Sequence, residues 1–388
     1  MNDKLLEAFA TTENISGFTH SFYNYPARFH PIFARTAIEE FTQKGDCVLD
    51  PFMGSGTTAV EALSCGRRFF GIDINPLAAF VTKVKTTPLT DKDLNGVDKW
   101  IRILPFTVNL HRRIESQPEW AAFARNLPWW IRKTIAFFLS GLEELENERQ
   151  KNFVRLGILS TAQKVLEYKK RVISSKPFVD LLVEQIRTMI VTMKEHQELL
   201  ESQLGIRKSE LIRRRKLFCC SAAALKKDMR VLRNWVPARL VLTSPPYPGI
   251  HVVYNRWQIL GRKETPAPYW VIHSQDGNGL SYYTLGDRGE KELRKYFVNL
   301  AGCFESIKQL IDDSTVVIQL VGFSKPEWQI EKYLQIMERS GFKEILPKSR
   351  RKKYYTRNVP NRKWYTQYRA ADDFGSGREY LFMHKLKK

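Results

Sequence analysis

The chain has 388 residues, 43% of them hydrophobic and 12% aromatic, which is ample for a packed core and excludes wholesale disorder. Its 62 Lys+Arg against 41 Asp+Glu leave a formal charge of +21, the balance of a protein that meets polyanions, with nucleic acid ahead of a membrane surface. No apolar run is long enough to span a bilayer and no signal peptide opens the sequence, so a cytoplasmic location is expected; the cysteines lack CxxC spacing and clustered histidines, so they read as reduced thiols and no metal site is expected.

In chain order, the first informative segment is HSFYNYPARFHP, His20 to Pro31, whose aromatics and prolines follow neither a helical nor a strand period. It reads as an ordered loop that straps aromatic side chains over the core. A helix is expected from Ile32 to Phe41. In DCVLDPFMGSGTT, Asp46 to Thr58, Cys47 to Leu49 is a short buried strand, Gly54-Ser55-Gly56 a tight turn, and Thr57 to Cys65 a helix. That order brings backbone amides and a helix N-terminus close to a ligand. Arg67 to Ile72 reads as a second strand, at whose tip Asp73 is placed to accept ribose hydroxyls. The run Gly54 to Ala59 satisfies the loose G-x-G-x-x-G/A pattern, so spacing alone allows either NAD or S-adenosylmethionine.

Residues 91–215 carry apolar side chains at helical spacing and read as a mostly helical insertion. A basic cluster closes it, in which Arg213 and Arg214 are candidates for phosphate contact. Lys216 to Cys220 is a third strand and Ser221 to Leu232 a helix. The apolar run Arg239 to Leu242 is a fourth strand that stops at Thr243-Ser244-Pro245-Pro246-Tyr247, because proline cannot continue a ladder. At the carboxyl end of a parallel strand such a turn faces the ligand crevice. Ser244 and the Pro245 carbonyl can accept the two hydrogens of an exocyclic amine, and Tyr247 can stack on its ring.

Pro248 to Arg288 interleaves aromatics, Trp257 and Tyr269 among them, with Arg256 and Arg262; such a segment suits either a surface for an extruded base and its backbone or a lid packed on the core. A helix from Glu290 to Ile311, a fifth strand from Thr315 to Val321, a helix from Glu327 to Ser340 and two last strands, Phe342 to Leu346 and Glu379 to His384, complete the sheet. Lys348 to Arg369 is a basic and aromatic loop, in which Arg350, Arg351, Lys352 and Lys353 form a second candidate nucleic-acid surface.

The combination DPFMGSGTT, GIDINP and TSPPY resembles the amino-group DNA methyltransferases, which methylate the exocyclic nitrogen of cytosine or adenine. DPFMGSGTT is similar to their FxGxG cofactor loop and TSPPY to their (D/N/S)PP(Y/F) motif, over roughly residues 18–90 and 217–260. The resemblance implies a doubly wound α/β fold with a mostly parallel seven-stranded, Rossmann-like sheet, interrupted by the helical insertion, so that 1–90 form the cofactor half and 216–388 the catalytic half. It gives Phe52, Gly54, Ser55, Gly56 and Thr57 to the cofactor loop, and Asp73 with Ile74 to the adenosine of S-adenosylmethionine. Asp50 is assigned to the methionine amino group or to ordering the turn, and Tyr25, Pro26 and Phe29 to the methionine side. Ser244, Pro245, Pro246 and Tyr247 become the target-base site. Relatives often carry an acidic residue near the adenine at the end of the third strand, where Ser221 stands here, which leaves that contact unassigned. The partner implied is double-stranded DNA in a prokaryotic nucleoid, with the base flipped out of the stack and with a cognate restriction endonuclease as a second partner. TSPPY leans toward cytosine N4; adenine N6, an RNA substrate and a catalytically silent nucleic-acid-binding module are the alternatives. An NAD dehydrogenase would need a placed acid such as histidine, and no candidate stands out.

Overall fold

The computed structural model describes residues 3–11, 13, 15, 17–25, 28–108, 120–227, 236–249, 256–261, 263–275, 283–286, 290–345, 354–359 and 377–387. Pro26, Arg262 and the run Arg350, Arg351, Lys352 and Lys353 lie outside the described residues. The strands are β1 (Cys47–Asp50), β2 (Arg68–Asp73), β3 (Arg215–Cys219), β4 (Ala238–Thr243), β5 (Trp257–Ile259), β6 (Lys263–Thr265), β7 (Ile311–Gly322), β8 (Phe342–Glu344), β9 (Tyr355–Asn358) and β10 (Arg378–Leu386). All but β5 and β6 form one eight-stranded sheet in the order β3-β2-β1-β4-β7-β10-β8, with β9 on β10; β5 and β6 make a separate hairpin. The five strands from β3 to β7 are parallel, and β10 runs antiparallel to β7, β8 and β9. The expected seven strands are all present; β9 is an eighth that the basic loop had concealed.

The parallel strands are near-continuous apolar runs because both faces of the sheet are covered. Alternation sorts their side chains between two cores. Val48, Phe69, Leu240 and Ile318 face α1 (Asp3–Ala10), α2 (Pro31–Phe41) and α3 (Thr57–Ser64). Leu49, Phe70, Val241 and Val317 join the core that holds Leu300 and Phe304 of a helix at Glu290–Ile307 and Ile330 and Tyr333 of another at Pro326–Arg339. The register fixes this sorting, with Leu49 opposite Phe70 on β2 and opposite Val241 on β4.

Between β2 and β3 the described residues are mostly helical: α4 (Pro76–Lys85), α5 (Asp91–Thr107), α6 (Trp129–Gly141), α7 (Glu148–Leu166), α8 (Ser175–Leu204) and α9 (Lys208–Arg213). Local chemistry marks the ends. Thr90 and Asp93 form a capping box on α5, and α8 stops at Gly205 in the left-handed conformation. Phe138, Phe153, Phe178 and Leu182 of these helices build a third core. Trp129 departs from this burial, being exposed.

The same third core takes in segments that are far away in sequence. Phe22, Tyr23 and Tyr25 of the strap are buried in it, as is Trp257 of β5. With them sit Tyr269 and Trp270 of α10 (Ala267–Ile272), the former fully buried. The described aromatics of Pro248 to Arg288 therefore pack as a lid on the helical layer, since burying one such ring is worth about 1.5–3 kcal/mol. The helices at Glu290–Ile307 and Pro326–Arg339 are α11 and α12.

Candidate functional site

Three strand ends meet where the parallel strands finish. β1 ends at Asp50, whose carboxylate is 2% exposed and accepts from the Thr58 hydroxyl at 2.7 Å, the Thr243 hydroxyl at 2.7 Å and the Phe52 amide at 3.1 Å. Asp50 thus orders the turn and ties the tips of β1 and β4 to the start of α3. Burial pushes its carboxyl up to about 6 against the three donors, which pull it down.

The glycine turn closes over β2. The Gly56 amide donates to the Met53 carbonyl at 2.8 Å, and the Thr82 hydroxyl donates to the Gly54 carbonyl at 2.9 Å. Gly56 has φ +78°, and a Cβ there would lie 2.7 Å from the Thr82 side chain, so both its conformation and its surroundings require glycine. Asp73 at the tip of β2 accepts from the Gly54 amide at 2.9 Å and from the Asn75 amide at 2.8 Å. Burial raises this carboxyl to about 6 as well. The Ser55 hydroxyl, 2% exposed, has no partner among the described residues, and Thr57 opens α3 beside it.

The fourth-strand turn completes the site. Ser244 donates to the Leu320 carbonyl at 2.9 Å and lies 3.2 Å from the Tyr247 hydroxyl. The Tyr296 hydroxyl donates to the Pro246 carbonyl at 2.6 Å, pinning the turn to α11. Pro245 is buried.

A single cleft joins these parts. Tyr25, Phe52, Gly54, Asp73 and Ile74 line it together with Ser244 and Pro246. Its remaining wall contains Asn75, Ser221, Tyr283, Leu285 and Cys303. Sequence reasoning assigned no role to Asn75 or Leu285, counted Tyr283 only among the aromatics of Pro248 to Arg288, and read Cys303 as a reduced thiol. Asn75 carried a readable signal, an Asn-Pro pair at a helix start, and it does cap α4 by accepting the Leu77 amide at 2.9 Å. Its amide group also donates to the Tyr25 hydroxyl at 3.3 Å and its oxygen accepts from the Tyr269 hydroxyl at 3.0 Å, joining strap and lid. Burial pushes the Cys303 thiol up to about 12, so it supplies an apolar wall rather than a nucleophile.

Other predicted residues lie elsewhere. Phe29 packs edge-on to Phe33, 6.0 Å between centroids, in the core beneath α2. Tyr247 is 6% exposed, packed over Gly322, and its hydroxyl donates to Glu379 at 2.7 Å, so its ring does not line the cleft in this conformation. Arg256 lies 3.7 Å from Glu264, Arg214 is held by Glu210 and the Gly66 carbonyl, and Arg213 is exposed.

The residues fit an adenosyl cofactor. Gly54 lines the cleft with φ +50°, a conformation that favours glycine, and a Cβ there would make only ordinary contact with the Tyr25 ring at 3.5 Å. The carboxylate, the glycine turn and the flanking Phe52 and Ile74 offer a polar edge between apolar faces.

Comparison with known proteins finds a family match in the N-terminal part. Residues 7–82 match the profile of the N6/N4 amino-methyltransferase family, described as DNA methylase. The chain is 33% identical over 143 residues to the type II methyltransferase M.MvaI of Kocuria varians, covering 35% of this chain and 31% of that protein. It is 53% identical over 53 residues to the type II methyltransferase M.BglI of Bacillus subtilis, 14% of this chain and 15% of the relative. It is also 42% identical over 52 residues to the DNA adenine methyltransferase YhdJ of Escherichia coli K12, 13% of this chain and 18% of that one. The chain spans less than a third of the length of each of these relatives.

Proposed function

We propose that this chain, which resembles the amino-group DNA methyltransferases, transfers a methyl group from S-adenosylmethionine to the exocyclic N4 of cytosine in duplex DNA. The observation that carries the reading is that Gly54 and Asp73 line one cleft together with Ser244 and Pro246. S-adenosylmethionine is the cofactor that this family implies, and when bound it supplies a methyl group on an electron-poor sulfonium.

The chain's own residues position and polarise the target. An exocyclic amine is a weak nucleophile because its lone pair is delocalised into the ring. Ser244 and the Pro245 carbonyl accept its two hydrogens and favour a pyramidal nitrogen with a localised lone pair, without a covalent intermediate. The target base leaves the duplex to reach the turn, at a cost of a few kcal/mol of unstacking. Tyr283, which lines the cleft, offers an aromatic wall there, and Tyr247 becomes a stacking partner only if its ring leaves Gly322. The helical layer of residues 91–215 is the target-recognition element in this reading, the exposed Arg213 contacts phosphate, and a cognate restriction endonuclease is the partner suggested by the likeness to type II methyltransferases. Adenine N6 is the second reading, favoured by the likeness to a DNA adenine methyltransferase.

Cofactor affinity should depend on pH through Asp73. The charged carboxylate accepts ribose hydroxyls, and its carboxyl titrates at about 6 in the ligand-free fold, so binding is full above about pH 7 and weakens as pH falls through 6. Asp73→Asn should bind more weakly and lose that dependence. Calorimetry that finds the same affinity at about pH 5 and pH 7.5 would move the ribose contact to another residue.

Incubation with methyl-labelled S-adenosylmethionine and either duplex DNA or RNA of mixed sequence tests the substrate class. Label in DNA is expected, and label in RNA alone would overturn the reading.

A further inference from the structure

Beyond the cleft, the catalytic turn is wired to a buried ion pair. The Tyr247 hydroxyl donates to Glu379 Oε1 at 2.7 Å, and Arg357 donates to Glu379 Oε2 through Nε at 2.8 Å and through Nη2 at 2.7 Å. Glu379 and Arg357 are 3% and 10% exposed, and Arg357 also donates to the Phe9 carbonyl at 3.0 Å while stacking over the Phe9 ring. The tyrosine ring reaches this pair because residue 322 is glycine; a Cβ there would lie 2.7 Å from it. Glu379 and Arg357 face each other directly in the β9–β10 register.

We propose that Glu379, held by Arg357, is a positioning residue that sets the direction of the Ser244 hydroxyl through Tyr247. The inference rests on the reading of Ser244 as an acceptor for the target amine. A carboxylate can only accept, so the single phenolic hydrogen of Tyr247 is committed to Glu379. The Tyr247 oxygen and the Leu320 carbonyl are then both acceptors beside Ser244, at 3.2 Å and 2.9 Å. The serine hydrogen is drawn to that side, and its remaining lone-pair capacity faces the cleft. Were Tyr247 to donate to Ser244 instead, it would take up one of the two lone pairs of the serine oxygen and leave a poorer acceptor for the amine.

Glu379→Gln reverses the polarity without changing shape. Two donors on Arg357 retain the amide oxygen, so the amide NH2 turns to Tyr247 and releases the phenolic hydrogen toward Ser244. The expected result is a kcat lower by about tenfold or more, a magnitude seen when residues behind a first contact are changed. Affinity for S-adenosylmethionine should stay as in the wild type. Adding Tyr247→Phe removes the reversed donor, so the double variant should recover turnover toward that of Tyr247→Phe alone. Unchanged kcat in Glu379→Gln, or losses that simply add in the double variant, would overturn the proposal. Failure of Glu379→Gln to bind cofactor would also overturn the proposal, since it would make Glu379 a structural residue. These outcomes require a wild-type protein that methylates DNA, and its inactivity on DNA would instead count against the functional reading itself.

Discussion

Ser244→Ala is expected to lower methyl-transfer turnover about a hundredfold or more while leaving S-adenosylmethionine affinity as in the wild type, the size of effect found when one preorganised polar partner of a reacting centre is removed. The asymmetry follows from where Ser244 sits. It follows the end of β4 while Asp73 ends β2, and its turn is independently pinned by the Tyr296 hydroxyl at the Pro246 carbonyl. Alanine therefore leaves the turn anchored and the cofactor side untouched, and removes only the hydroxyl proposed to accept an amino hydrogen. Single-turnover kinetics with saturating cofactor would read the chemical step directly. Unchanged turnover would remove Ser244 from the mechanism, and a parallel loss of cofactor affinity would make it a structural residue.

The second large effect is on stability. Asp50→Ala should cost about 3–5 kcal/mol in urea unfolding, because it leaves two hydroxyls and one amide facing an apolar gap at the meeting of β1, β4 and α3. Asp50→Asn keeps an acceptor and should cost less. The pH dependence runs opposite to that of a salt-bridged carboxylate. Asp50 titrates at about 6 in the fold against 3.8 for an ordinary aspartate, so between those values the folded state holds more protons than the unfolded one. Its contribution to stability is therefore greatest below about pH 4 and declines as pH rises through 6. An Asp50→Ala protein as stable as the wild type would show that the turn is ordered by other contacts.

The parts of the fold that were legible are those fixed by local chemistry. Cys47 to Leu49 and Leu240 to Leu242 are short apolar runs stopped by a glycine turn and by two prolines, and both are central strands. β9 was hidden because Tyr355-Thr-Arg-Asn carries no apolar alternation; it is a strand only because β10 offers its edge. The aromatics from Trp257 to Trp270 were ambiguous between surface and core, and the helical layer that buries them lies about a hundred residues earlier in the chain.

The site divides in the same way. Gly54, Gly56 and Asp73 follow from a strand-turn-helix pattern, whereas the burial of Tyr247 depends on Gly322 and Glu379, which no local signal connects to it. Tyr283, Leu285 and Cys303 enter the cleft from loop and helix positions that no spacing rule marks.

The most direct measurement is mass spectrometry of nucleosides released from mixed genomic DNA after incubation with methyl-labelled S-adenosylmethionine and this protein. The account predicts labelled N4-methylcytosine. Labelled N6-methyladenine would keep the cleft and its chemistry but contradict the base, and the absence of any labelled deoxynucleoside would contradict the assignment of DNA methylation.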